Sequence, residues 1–128
     1  MRVLATIARY LLGVIFLVFG SNIFLHFLPA PPLPPGPMAN FSSALMESHY
    51  IYVVGLFQVV PAILLLINRY IPLALALLAP VIVNIICTHV FLSPSGLPAA
   101  AVVTILWILV FTRVRSSFDG IYEQRKQE

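Results

Sequence analysis

Charge is what this 128-residue sequence has least of: four acids and seven basic residues make up 9% of it, against 61% hydrophobic residues. A soluble domain of that size has no core large enough to hide so much apolar surface, so a soluble catalytic module is excluded. Cysteine is nearly missing too, and a lone Cys87 can form no internal disulfide and run no CxxC-type exchange within one chain. The three histidines, at 26, 49 and 89, fall in no HxxxH or HExxH spacing. Nothing in the pattern therefore marks a dense metal site, and haem or metal is not the expected cofactor.

What is present is long apolar runs, with a mean hydropathy of +1.04 for the chain. A membrane span takes about 20 mostly apolar residues, and four candidates lie at roughly 8 to 28, 49 to 68, 71 to 92 and 98 to 115. The expected fold class is an all-α membrane protein, an antiparallel four-helix transmembrane bundle forming a single domain over 1–128. Arg2 and Arg9 precede the first run and no small-x-small cleavage site closes it, so it reads as a retained signal anchor.

The connections have their own chemistry. After span 1, "LPAPPLPPGPM" excludes helix and favours extended polyproline II, either as a stiff strap or as a lid over the mouth of the bundle. "NFSSALMES" then places Phe41, Ala44 and Leu45 at helical spacing beside serines, the pattern of a short interfacial helix within the 29–48 loop. "NRYIP" and "SPSGLP" are tight turns between neighbouring antiparallel helices. The seven basic residues, Arg2, Arg9, Arg69, Arg113, Arg115, Arg125 and Lys126, all fall on one side of four spans, and the other loops have none. The positive-inside rule then puts both termini in the cytosol, with the basic 116–128 tail against anionic headgroups and no nucleic-acid partner implied.

Polar residues within the spans are candidates for function or for helix-to-helix bonding. Counted from the inner boundary at about 1.5 Å per residue, Asn22, Gln58 and Asn84 lie near 20, 17 and 21 Å, one level on three helices. Facing inward, they would form either an amide clasp, each bond contributing about 0.6 kcal/mol, or the floor of a pocket. Above them come His26, His89 and, at the mouth of span 2, Glu47 with His49. The candidate ligand-binding set is thus Asn22, His26, Gln58, Asn84, His89, Glu47 and His49. No comparable layer occupies the inner half, so the expected pocket opens outward.

"ARYLLGVIFLVFG", "PMANFSSAL" and above all "NRYIPLALALLAPVIVNIICTHVFL" resemble the DoxX-like family of membrane proteins, through nearly the whole chain to span 4. The resemblance implies a compact four-helix bundle of the bacterial inner membrane and, from the founding members, a link to quinone-coupled sulfur oxidation. By position, Asn84 and His89 match polar positions of the family's pattern, and His49 stands where a glycine commonly precedes Tyr50. Gln58 stands where relatives often carry glutamate, which removes a proton-transferring carboxylate.

Two functions of different kinds follow. One is a non-catalytic accessory subunit that holds the head of a quinone or another isoprenoid lipid for a membrane oxidoreductase partner. The other is an assembly or trafficking factor with no ligand, binding partner helices or a second copy of itself. Small-solute transport fits less well, because four spans carry no charged relay and no evident inverted repeat.

Overall fold

A computed structural model of the chain describes residues 2–30 and 32–122. Five α-helices run in the order α1 (Arg2–Leu25), α2 (Pro37–Glu47), α3 (Tyr50–Leu66), α4 (Ile71–Phe91) and α5 (Leu97–Val114), followed by 3-10 turns over Arg115–Tyr122. There are no strands among the described residues, and the protein is an all-α membrane bundle. α1, α4 and the stretch Pro94–Ile121 are each long and apolar enough to cross a membrane. α2 and α3, bent by 86° where they meet, form a fourth candidate span as a pair. α3 alone has 17 residues, about 26 Å at 1.5 Å per residue.

The bundle is a ring in which α1 packs on α3 and α5, and α4 packs on the same two helices from the opposite corner. α1 turns Ala5, Ala8, Leu12, Phe16 and Gly20 inward at three- and four-residue steps. Its other face, with Ile7, Leu11, Val14 and Phe19, is equally apolar but exposed. An apolar exterior around a core with no buried polar side chain among the described residues is what hydrocarbon as solvent selects.

Neighbours run antiparallel, and the α1–α3 register can be read from contacts. Arg9 reaches Leu65, Gly13 faces Ala62 and Leu66, Gly20 faces Gln58 and Val59, and Phe24 lies over Gly55. A Cβ added to Gly20 would stand 2.9 Å from both Gln58 Cβ and Val59 Cγ2, closer than real side chains approach. Glycine at these places lets the two backbones draw together, the usual device where no hydrophobic effect drives helix association. Across the ring, the Trp107 indole donates to the Leu75 carbonyl at 2.9 Å and ties α5 to α4.

Four non-glycine residues take positive φ, and all lie at helix junctions: His26 (51°), His49 (63°), Asn68 (57°) and Tyr70 (54°). His49 makes the bend between α2 and α3, and α2, which buries no residue, crosses the end of the bundle instead of extending α3. Arg2, Arg9, Arg69, Arg113 and Arg115 share the opposite end of the bundle. The expected basic tail falls partly outside the described residues, Arg125 and Lys126 included.

Candidate functional site

A groove of about 660 Å³ lies where α2 roofs the space between α3 and α4. α2 contributes Phe41, Ala44 and Leu45, and α3 contributes Tyr50, Val53, Val54 and Phe57. α4 supplies Pro80, Val81 and Ile85 together with two polar side chains, Asn84 and Thr88. The described residues of the proline-rich loop line none of it, so the roof is the amphipathic helix and not a proline lid.

The polar groups of the groove are partly spent within their own segments. Asn84 Nδ2 donates to the Pro80 carbonyl at 2.8 Å, and Thr88 Oγ1 donates to the Asn84 carbonyl at 2.7 Å. Ser48 Oγ donates to Leu45 and accepts the Tyr50 N–H, closing the α2–α3 bend. A carboxamide has two donors and an acceptor oxygen. Asn84 therefore retains one N–H and its oxygen toward the groove, and Thr88 retains acceptor capacity. The site can offer a few donors and acceptors, the Tyr50 hydroxyl among them, to a molecule that is otherwise greasy.

The seven residues expected to share a site are dispersed. Of them only Asn84 lines the groove. Asn22 accepts the Leu28 N–H on its Oδ1 at 2.8 Å and so caps the turn that ends α1, just where His26 takes its positive φ. Gln58 lies along the α1–α3 seam with its Cβ against Gly20. Among the described residues no direct hydrogen bond joins Asn22, Gln58 and Asn84. Equal depth did not bring them together: Asn22 and Asn84 each bond a backbone group of their own segment, and Gln58 sits in the α1–α3 seam beside Gly20.

The upper layer is dispersed as well. His49 stacks on Tyr52, with centroids 5.8 Å apart, and Tyr52 stacks on Phe24 at 5.4 Å, an aromatic column tying the start of α3 to the end of α1. Glu47 ends α2 exposed, and His26 is exposed. His89 Nδ1–H donates to the Ser93 carbonyl at 3.1 Å, which leaves Nε2 as the acceptor tautomer. The ring fills the space over Gly96, where an added Cβ would collide with its Cε1 and Nδ1. The imidazole expected among the ligand donors thus has its Nδ1 engaged at the α4–α5 turn, with Nε2 left without a partner among the described residues.

A second recess escaped the sequence reading. At the arginine end, Thr6 and Arg9 of α1, Asn68 of the α3–α4 turn and Arg113 of α5 surround about 220 Å³. Arg9 donates through Nη1 to the Leu65 carbonyl at the C-terminus of α3, where a cation complements the helix dipole. The signal was available as an arginine embedded in "TIARYLL", but it served only as a topology marker.

The DoxX family model matches residues 4–91, more than half of the chain and all of α2 to α4. The chain belongs to the DoxX family. In this DoxX protein the groove lies wholly within the matched residues, whereas α5, and with it Arg113 of the second recess, lies beyond them. No curated protein and no solved structure matches the chain.

Proposed function

We propose that this DoxX protein is a non-catalytic accessory protein that holds the head of a quinone or other isoprenoid lipid under α2. The observation that carries the reading is the groove: it is apolar along α3 and α4, lies in the half of the bundle away from the arginines, and has Asn84 and Thr88 as polar groups in its wall. A quinone carbonyl would take the remaining Asn84 N–H, its ring would lie among Phe41, Tyr50 and Phe57, and its isoprenoid tail would leave into the bilayer. Mostly apolar walls with a few placed polar groups are the usual anatomy of a small-molecule site. Lipid analysis of gently purified protein should find a quinone or isoprenoid at one per chain. Absence of any stoichiometric lipid removes this function.

One observation favours the assembly-factor reading: Asn22, Asn84, Thr88 and His89 all bond backbone groups of their own helix or turn. Polarity used this way needs no ligand. A membrane protein that co-purifies while the lipid analysis is negative would establish that alternative. For orientation, the five described arginines at one end support cytosolic termini by the positive-inside rule. In a Cys87→Ser background, single cysteines at Ser93 or Ser95 should react with an impermeant reagent from outside, and one at Asn68 should not. The opposite pattern inverts the protein.

A further inference from the structure

We propose that the recess at the arginine end seats the phosphate group of an anionic membrane lipid. Two guanidinium groups from different helices, Arg9 of α1 and Arg113 of α5, line one concavity that has no acidic residue among the described residues of its wall. Among the described residues neither arginine forms an ion pair. Like charges converging at the edge of a low-dielectric bundle repel, and an anion between them reverses that term. A guanidinium has five N–H donors. Arg9 uses one nitrogen on the Leu65 carbonyl, and the structure assigns no protein acceptor to Arg113 among the described residues.

The backbone adds to the same field. α4 begins at the recess with Ile71, and its N-cap residue Tyr70 provides no side-chain cap. The first-turn N–H groups of Ile71 and Leu73 are therefore uncapped, Pro72 having none, and they form the positive end of a 21-residue helix dipole. Ala5, buried in the wall, keeps the space open. At about 30 Å³ per water, 220 Å³ accommodates a phosphate group with solvent beside it. A lipid is the favoured source because the surrounding helices expose Leu4, Ile7 and Ile108 to hydrocarbon, where acyl chains gain contact that free phosphate lacks.

Native mass spectrometry of the full chain, titrated with phosphatidylglycerol or phosphatidylcholine in detergent, tests the seat. Phosphatidylglycerol should bind at one per chain and outcompete phosphatidylcholine about tenfold or more, since each basic residue near a headgroup contributes about a fivefold factor. Arg113 is exposed, so Arg113→Gln should weaken phosphatidylglycerol about fivefold without unfolding. Arg115→Gln, an equal charge loss outside the recess, should change it less than twofold. Equal binding of the two lipids, or equal loss in both variants, overturns the seat in favour of diffuse surface charge. Displacement by millimolar inorganic phosphate overturns the lipid assignment.

Discussion

α3 has two long seams, one with α1 and one with α4, and they are built on opposite plans. Toward α1 the small residues Gly13, Gly20 and Gly55 let the backbones close until Gln58, Val59 and Phe24 fill every gap. Toward α4, the outer half pairs Val53, Val54 and Phe57 with Pro80, Asn84 and Thr88, and the seam stays open as a groove. Hydrophobicity does not separate the two seams, since both are apolar. What separates them is side-chain size at the contact, which in a bilayer decides whether helices close or leave room for a guest.

The closed seam should break most visibly at Gly20. A leucine there has to displace Gln58 Cβ and the Val59 backbone nitrogen, 3.2 Å from even the first added carbon. Overpacking of this kind costs about 3 kcal/mol, and the chain should lose its cooperative thermal transition in detergent or unfold well below wild type. Gly13→Ala is the milder partner, because its added carbon presses mainly on the Leu66 side chain and meets backbone only at the Ala62 carbonyl, 3.3 Å away. Equal effects of the two would mean that seam closeness is not what stabilises α1 against α3.

A smaller effect is expected at the turn between α4 and α5. Gly96→Ala drives the His89 ring from its place and removes its bond to Ser93, at about 1 kcal/mol. His89→Ala loses the same bond. In the double variant the second change should then add little, because the two residues share one interaction. Full additivity in thermal unfolding would free His89 from the turn and return it to the candidate ligand donors.

The four apolar runs, the interfacial helix between the first two and the tight turns at "NRYIP" and "SPSG" were legible because hydropathy, proline and spacing act locally. The common depth of Asn22, Gln58 and Asn84 was legible as well, since rise per residue is constant. Their failure to meet was not. It depends on the rotation of each helix and on short-range competition such as the Pro80 carbonyl capturing Asn84. The arginine recess was hidden for a related reason: Arg9 and Arg113 are 104 positions apart, and only the antiparallel ring brings the start of α1 beside the end of α5.

The open seam supplies the smallest stability effect and the sharpest functional one. Asn84 bonds only its own helix and is exposed to the groove, so Asn84→Leu should shift stability by no more than about 0.6 kcal/mol. Ala44→Trp should be equally mild, because α2 buries no residue, yet its indole would occupy the space beneath the roof. If the groove holds a lipid head, the two variants lose it by different routes, one by removing the remaining amide donor and the other by filling the volume. Both should unfold like wild type while their bound quinone or isoprenoid falls several-fold. Loss in Ala44→Trp alone would mean that the groove binds by shape and the amide is incidental. Retention in both would place any bound lipid elsewhere on the bundle, and the open seam would then be a surface for a partner helix.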